Sequence, residues 1–119
     1  MYREIKIGEK TIPLLANGAT PMRYRMVFGR DILSEFQRAG EDGGIMISSL
    51  SELAYIMAMA ADKSVDMSKL NVNSYINWLE QFEPLDLTNA SEEIVDTYMG
   101  NTKTTSEVKK KARGAVSES

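Results

Sequence analysis

Apolar and polar residues alternate near the start of the chain. In YREIKIGEKTIPLLA, Ile5 and Ile7 fall on one face of an extended segment, and Gly8 lets the chain reverse into a second extended segment. This pattern predicts a β-hairpin over residues 3–15. Pro13 has no N–H to donate to a neighbouring strand, so we expect its strand at an edge of the sheet.

The spacing of apolar residues changes to a helical period after the hairpin. Thr20 and Pro21 are typical of a helix start, because the hydroxyl can accept from a free backbone N–H and proline suits the first turn. Apolar residues occupy most of the circumference of this helix, so we predict a bend near Gly29 and Arg30. A second, amphipathic helix is predicted from Asp31 to Arg38.

Three more helices are predicted after the glycine-rich AGEDGG connection. The first opens on Ser49 and Glu52 at capping-box spacing and continues through an uncharged stretch, which indicates a buried central helix. The second follows Asn73, a typical N-cap residue. The third runs from Leu87 to a terminal Gly100. About five helices are therefore expected.

The last nineteen residues differ in composition from the rest of the chain. Residues 101–119 hold five Lys/Arg and two Asp/Glu, a net charge of +3. Because the whole chain has a net charge of −3, residues 1–100 have a net charge of −6. The segment is rich in Ser, Thr and Lys and has few large apolar residues, so we predict a flexible basic tail. The predicted fold class is α+β, mainly α, in a single domain over residues 1–100, with its helical part over residues 20–100.

The composition restricts the chemistry that the chain can perform. It contains no cysteine and no histidine, which excludes disulfides, thiol nucleophiles and imidazole groups. Paired carboxylates such as Glu92 and Glu93 are typical of solvated helix ends. Asp62 and Asp66 lack the glycine and terminal glutamate of a calcium loop. Catalysis would have to depend on carboxylates, lysine or tyrosine, and we predict no catalytic residue, no metal site and no cofactor.

Location and membrane contact follow from the apolar segments. The N-terminal MYREIKIGEK has no apolar run of signal-peptide length, so the cytoplasm is expected. The uncharged stretch from Leu53 to Ala61 is far shorter than the roughly 20 residues that cross a bilayer. No membrane partner is therefore predicted.

The stretch TPMRYRMVFGRD places three arginines among large apolar residues. Arg23, Arg25 and Arg30 on two short helices with a glycine between them could clamp phosphates, as in a helix-turn-helix protein. The acidic balance of residues 1–100 argues against this interpretation, because a nucleic-acid binder usually carries a basic surface. We predict no nucleic-acid partner and expect these arginines at the edge of a packed helix.

Three segments of the chain resemble the tail assembly chaperones of long-tailed, siphovirus-type bacteriophages and prophages of Gram-positive hosts. They are ATPMRYRMVFGRDIL after the hairpin, YINWLEQFEPLDL, and GNTKTTSEVKKK. The resemblance is carried by Thr20, Pro21, Tyr24, Arg25, Phe28, Gly29, Arg30 and Asp31 in the first segment, by Trp78 and Phe82 in the second, and by Lys103, Thr104, Thr105 and Lys109 to Lys111 in the third.

The resemblance implies a protein that is not an enzyme, that binds the tape-measure protein and that assists polymerisation of the tail tube. Expected partners are the tape-measure protein, the tail-tube protein, a frameshifted extended form of the chain, and further copies of itself. The implied location is the cytoplasm of the infected host, with the protein absent from the mature virion. The candidate partner-binding residues are Tyr24, Arg25, Phe28, Arg30, Trp78, Phe82, Lys109, Lys110 and Lys111.

Two alternatives to a chaperone stay open from the sequence. A minor tail protein or head-tail joining protein would be a structural component of the particle. A small helix-turn-helix regulator would bind duplex DNA. The chain also has eight methionines, which suit adaptable contact surfaces, although Met57 and Met59 lie in the uncharged helix and are expected in the core.

Overall fold

The computed structural model describes residues 1–42 and 46–100, and its fold is α+β, mainly α. An antiparallel hairpin of β1 (Tyr2–Ile7) and β2 (Lys10–Leu15) comes first. The α-helices that follow in the described ranges are α1 (Thr20–Phe28), α2 (Ile32–Asp42), α3 (Ile47–Ala61), α4 (Val72–Leu79), α5 (Asp86–Asn89) and α6 (Ser91–Met99), with a 3-10 turn over Met67–Lys69. The predicted tail over residues 101–119 lies outside the described residues.

The hairpin presents one apolar face and one polar face. Gly8 opens the two-residue turn with a φ of 66°, a left-handed conformation that favours glycine in such turns. Ile5 pairs with Ile12, and Arg3 pairs with Leu14, so these side chains share the face toward the helices. The predicted hairpin and its single buried face are therefore confirmed.

Pro13 lies at the edge of the sheet, as predicted. It is paired with Glu4, three steps from the Ile7 to Lys10 pair that closes the turn. Hydrogen-bonded and non-hydrogen-bonded pairs alternate along an antiparallel ladder. Pro13 thus falls in a non-hydrogen-bonded pair, with its nitrogen facing outward where no donor is needed.

Helix α3 forms the centre of the molecule, which confirms the buried helix predicted from the uncharged stretch. Leu53, Tyr55 and Met57 are fully buried, and Met59 is half-buried. The helix packs against β2, α1 and α6, so a single cluster of buried side chains joins the hairpin to the helices. No helix in the described ranges is long and apolar enough to cross a membrane.

The predicted capping box at the start of α3 is wrong. The helix begins at Ile47, after Met46, which makes no side-chain capping bond. Ser49 and Glu52 therefore lie inside the helix. Their side chains bind other elements instead, because the Ser49 hydroxyl donates to Glu35 and a Glu52 carboxylate oxygen accepts from Tyr24.

Two other predicted caps are also corrected. The N-cap of α4 is Asn71, which accepts from the Ser74 N–H at 2.9 Å, while Ser74 accepts from the Asn71 N–H; Asn73 lies inside the helix. Asn71 has the extended backbone that an N-cap needs. Thr20 does begin α1, but its hydroxyl accepts from the N–H of Asn17 in the preceding loop and does not cap the helix.

Glycines and one alanine set the remaining helix boundaries. Gly29, with a φ of 76°, ends α1 at the predicted bend, and Gly100, with a φ of 75°, ends α6 as predicted. The last predicted helix is divided into α5 and α6 at Ala90, whose φ of −96° and ψ of 3° depart from helical geometry. The described part of the chain therefore has six α-helices where about five were expected.

Candidate protein-interaction surfaces

The first two segments that carry the phage resemblance meet in an aromatic cluster. The ring of Phe28 lies 5.2 Å from the ring of Tyr24 on its own helix. It also lies 5.2 Å from the ring of Tyr75 on α4 and 6.4 Å from that of Tyr55 on α3, both edge to face. Aromatic pairs at these separations stabilise a core beyond the area they bury. The cluster thus fixes α1 against α3 and α4.

The cluster continues through the second segment. Trp78 lies 5.7 Å from Tyr55 and 5.0 Å from Phe82, between ring centres. Trp78 is half-buried and also lines a groove of about 490 Å³ beside Pro13 and Met59. Trp78 and Phe82 therefore serve first as packing residues, each with an edge that a partner can reach.

Tyr24 does not fit the predicted role of a surface contact. Its side chain is fully buried, whereas Phe28 is half-buried and Arg25 is exposed. Tyr24 was a candidate partner-binding residue only because of the resemblance. The structure shows that its ring belongs to the core and its hydroxyl to a polar network behind α1.

Arg30, the third arginine of the TPMRYRMVFGRD stretch, belongs to this network. The Tyr24 hydroxyl donates to Glu52 at 2.7 Å and accepts from Arg30 Nη2 at 3.1 Å. Arg30 also forms an ion pair with Glu52, and its guanidinium carbon lies 5.9 Å from the centre of the Tyr24 ring. Arg30 is therefore committed to contacts within the chain.

Glu35 extends the network from α2 to α3. Only 7% of its side chain is exposed, and it accepts a hydrogen bond from Ser49 at 2.8 Å. Arg30 Nε and Arg38 Nη2 each lie 3.8 Å from the same carboxylate oxygen. A buried carboxylate needs such partners, and together they hold the corner between α1 and α2 against α3.

Burial keeps two tyrosines of this region protonated. Loss of solvent raises the pKa of Tyr24 to about 12, and its bond to Glu52 adds to the effect. Burial likewise raises the pKa of Tyr75 to about 12. Both phenols are neutral near pH 7, so they act as structural hydrogen-bonding groups and are poorly matched to acid–base chemistry at that pH.

Helix α1 has an exposed face opposite the aromatic cluster. Met22 and Met26 are 61% and 76% exposed and stand one turn apart, with exposed Arg25 beside them. We call Met22, Arg25 and Met26 the α1 methionine face. The broad apolar arc seen in the sequence is thus two faces, one packed inward through Tyr24 and Phe28 and one directed to solvent.

Helix α4 has a second exposed apolar face. Val72 and Ile76 are 48% and 47% exposed and are also one turn apart. We call these two residues the α4 aliphatic face, and the exposed amides Asn73 and Asn77 flank it. Sequence reasoning missed this face, although its signal was present, because two aliphatic residues remain on α4 after Tyr75 and Trp78 have filled the core positions.

The acidic residues do not assemble into a cation site in the described ranges. Asp62 accepts from Ser64 and Asp66 accepts from Ser68, and these hydrogen bonds lower the pKa of both carboxyl groups. Such bonds are local turn and cap contacts. No group of three or more Asp or Glu side chains in the described part of the chain is placed to hold a metal ion.

Two exposed faces, on α1 and α4, are therefore the candidate interaction surfaces. The predicted lysines Lys109, Lys110 and Lys111 lie outside the described residues. No protein-family model, no curated protein and no solved structure matches the chain. Function is accordingly proposed from the residues and surfaces of the chain itself.

Proposed function

We propose that this protein is a non-enzymatic tail assembly chaperone of a long-tailed phage or prophage of a Gram-positive host. It binds the tape-measure protein and assists polymerisation of tail-tube subunits around it. It acts in the cytoplasm of the infected cell, needs no cofactor, and leaves before the virion is complete. The resemblance of the three segments supports the proposal, and the observation that carries it is the α1 methionine face.

Exposed methionine suits a binder of a long helical substrate. Each successive segment of such a substrate presents different apolar side chains, and methionine adapts to them because its unbranched chain has three rotatable bonds. Met22 and Met26 together present a wide apolar surface on one side of α1. Arg25 beside them can pair with an acidic residue on the substrate.

The core behind α1 gives this face a fixed backbone. Phe28 locks the helix into the aromatic cluster, and Arg30 ties its C-terminal end to α3 through Glu52. A surface whose backbone is already ordered loses less entropy on binding than a flexible one. The methionine side chains alone then adjust to the substrate.

The two alternatives differ in what they require of the molecule. A helix-turn-helix regulator would have to bind DNA through Arg23 and Arg25, because Arg30 is engaged with Glu52 and Glu35. A head-tail joining protein is compatible with the same exposed faces. Analysis of purified virions distinguishes the joining protein from the chaperone, because a joining protein stays in the virion in a few copies and a chaperone does not.

The direct test is co-expression with the long, helical, apolar-repeat protein expected just downstream in the genome. We expect the chain to keep that protein soluble and to co-elute with it. Met22→Glu combined with Met26→Glu should raise the dissociation constant at least about tenfold, since burying one methionine contributes about 1.5–3 kcal/mol.

Leu85→Glu is the matched control, because Leu85 is 65% exposed and lies outside the α1 methionine face. It should bind as the unchanged chain does. Absence of binding by the unchanged chain would overturn the proposal. Retention in virions would favour the joining protein, and salt-dependent binding of duplex DNA would favour the regulator.

A further inference from the structure

The outer edge of β1 carries a row of unpaired backbone groups. The Ala16 N–H donates to the Met1 carbonyl at 2.8 Å, so Met1 and Ala16 form a hydrogen-bonded pair of the ladder. Such pairs alternate with pairs whose N–H and C=O groups point away from the partner strand. On β1 the outward groups therefore belong to Tyr2, Glu4 and Lys6, all of them exposed residues. These backbone groups make no hydrogen bond with another described residue.

The outer edge of β2 is different, because a proline interrupts it. Its outward residues are Thr11, Pro13 and Leu15, and Pro13 has no N–H in the middle of the row. Proline is one of the features that keep a sheet edge from pairing. β1 has no proline and keeps its alternating donors and acceptors over six residues, about 20 Å at 3.4 Å per residue. Such a row matches the backbone of another extended polypeptide segment.

Arg3 provides a second, independent observation on the same strand. Its side chain is on the inward face of the hairpin with Ile5 and Ile7. Arg3 is half-buried, its Nη1 is buried without a hydrogen-bond partner, and its guanidinium forms no ion pair with a described residue. A cation that is removed from water is unfavourable unless an anion pairs with it. The described residues thus leave Arg3 without the carboxylate that its charge requires.

We propose that the outer edge of β1 binds an extended peptide segment that carries a carboxylate opposite Arg3. The segment adds to the hairpin as a third strand, antiparallel to β1, and bonds to the outward backbone groups of Tyr2, Glu4 and Lys6. Residues directly opposite each other in such a ladder share a face, with Cβ atoms about 4.5–5.5 Å apart. An Asp or Glu opposite Arg3 therefore approaches the guanidinium and forms charge-assisted hydrogen bonds with it.

Arg3 also determines which strands the edge accepts. An inward-pointing charge on an edge strand opposes pairing with a purely apolar strand, because the charge then stays unpaired. The hairpin of a second copy cannot supply the missing anion, since no acidic residue is among those on its inward face: Arg3, Ile5, Ile7, Lys10, Ile12 and Leu14. Glu4 lies on the opposite face of β1. The occupant is therefore a different segment that carries an acidic side chain.

Amide exchange measured by NMR on the full chain tests the added strand residue by residue. The probe is the capped hexapeptide acetyl-Val-Thr-Val-Lys-Glu-Thr-amide, whose Glu lies opposite Arg3 when its first Val lies opposite Ile7. With millimolar peptide, the amides of Glu4 and Lys6 should exchange several-fold more slowly, because their N–H groups then donate to it. The Ile5 amide, already bonded within the hairpin, should change less. Absence of protection at millimolar peptide would overturn the proposal, as would full protection of Glu4 and Lys6 before the peptide is added.

A double-mutant cycle tests the contact with Arg3. Replacing the Glu of the peptide by Gln should raise the dissociation constant about tenfold in the unchanged chain, because a charge-assisted hydrogen bond is lost. Arg3→Gln should weaken binding of the Glu peptide by a similar factor. The Gln peptide should bind both chains about equally, since the contact is already absent. Losses that simply multiply in the cycle would show that the two groups do not meet and would overturn the role of Arg3.

A proline on each edge tests the location of the peptide. Glu4→Pro removes an outward N–H from β1 and should raise the dissociation constant of the peptide about tenfold. Thr11→Pro removes an outward N–H from β2 and is the matched control, so it should bind as the unchanged chain does. If Glu4→Pro does not fold, a peptide N-methylated at its Lys, which faces Glu4, removes a bond of the same pair without altering the chain. Equal effects of the two prolines, or full binding of the methylated peptide, would overturn the proposal.

This edge is separate from the α1 methionine face, so the inference goes beyond the proposed function and does not depend on it. The edge binds an extended segment through backbone groups and Arg3, whereas the α1 methionine face binds a helical segment through apolar side chains. The Met22→Glu and Met26→Glu variant should therefore bind the hexapeptide with an unchanged dissociation constant. A tenfold loss in that variant would show that the peptide occupies α1 and would overturn the proposal.

Discussion

Arg30 lies at the corner where α1 turns into α2, and its guanidinium joins three acceptors of the fold. It bonds to the Tyr24 hydroxyl and pairs with Glu52 and Glu35. Glu35 and Glu52 are 7% and 13% exposed, so each loses much of its hydration on folding and depends on these partners. This one side chain therefore couples a surface helix to the central helix.

Arg30→Ala should lower the free energy of unfolding by about 1–3 kcal/mol, because it leaves largely buried carboxylates with fewer partners. Arg25→Ala is the matched control, since Arg25 is exposed and forms no ion pair with a described residue, and it should change stability by no more than about 0.5 kcal/mol. Urea unfolding measures both. Equal losses in the two variants would show that the network does not stabilise the fold.

The buried phenols predict a loss of stability at alkaline pH. Tyr24 and Tyr75 have an ordinary pKa of 10.0 when unfolded and about 12 when folded, because burial disfavours the phenolate. The unfolded chain therefore releases these protons first as the pH rises. Their contribution to the free energy of unfolding is intact below pH 10 and is lost as the pH rises through 12.

Thermal melts across this pH range, with tyrosinate absorbance as a second signal, check the prediction. Tyr24→Phe retains the ring and removes one titrating group, so its stability should fall less steeply with pH than that of the unchanged chain. Titration of every tyrosine near pH 10 in the folded chain, without loss of stability, would contradict it.

At the scale of single residues, the sequence did not indicate what the named side chains contact. Phe28, Trp78 and Phe82 were named as partner-binding residues through the resemblance, and in the structure their half-buried rings pack in one cluster. Burial of Tyr24 was not predictable. The network between Arg30 and Glu52 joins residues 22 positions apart, and local periodicity carries no information about such a contact.

Among the elements, the hairpin depends on close approach between its turn and the start of α5. A Cβ on Gly8 would lie 2.3 Å from Asp86 Oδ2, and that oxygen is held in place by the N–H of Glu83 at 2.8 Å. Gly8 also has a positive φ, which other residues adopt at a cost. The glycine is thus required both by the turn and by its neighbour.

Gly8→Ala should destabilise the fold more than Gly29→Ala does. Gly29 has a similar φ of 76° but open space where its Cβ would lie, so its variant measures the backbone cost alone, about 1–2 kcal/mol. Chemical unfolding compares the two. In an Asp86→Ala background the extra cost of Gly8→Ala should disappear, and persistence of the full difference there would show that the clash with Asp86 is not its cause.

The corrected cap of α4 gives a second prediction at this scale. Asn71→Ala should cost about 1 kcal/mol, because it removes the side-chain acceptor for the Ser74 N–H. Asn73→Ala should be nearly neutral, since Asn73 is exposed inside the helix. Thermal unfolding of both variants checks this. A larger loss from Asn73→Ala would contradict the assigned cap.

Element type followed from the sequence, whereas several boundaries did not. The alternation around Ile5 and Ile7 and the uncharged run of α3 are long, regular patterns that few other structures satisfy. Caps are decided by one backbone conformation, and Asn71 and Asn73 have the same side chain two positions apart. Only the tertiary fold selects between them.

For the whole molecule, the buried apolar cluster of the described residues extends from the hairpin to α6, which Gly100 ends. The composition of residues 101–119 predicts a tail that buries little apolar surface. Truncation after Gly100 should therefore leave the melting temperature almost unchanged in calorimetry. A large fall in melting temperature would contradict this.

The basic tail can affect binding through long-range attraction, which is screened within about 8–10 Å near physiological salt. If its lysines contribute, replacing Lys109, Lys110 and Lys111 by Gln should weaken tape-measure binding at low salt and have little effect at high salt. Equal binding at low salt would leave the tail as a solubilising segment only. A binding assay at the two salt concentrations measures this without altering the length of the chain.

Two exposed apolar faces on one small acidic fold are the feature that composition could not reveal. Periodicity separates apolar from polar positions, but Met22 and Val72 are as apolar as core residues and differ from them only in what the fold places against them. Their exposure emerges after Phe28 and Tyr75 have filled the aromatic cluster. The sequence therefore identifies these residues as apolar helix positions, and the fold shows that they face outward.

Hydrogen exchange of the full chain, with and without the tape-measure protein, tests whether α1 binds that protein. We expect slower exchange in α1, over Thr20–Phe28, when the tape-measure protein is bound. The Met22→Glu and Met26→Glu variant should show no such change. Protection confined to the hairpin or to α4, with α1 unchanged, would contradict the proposed role of the α1 methionine face.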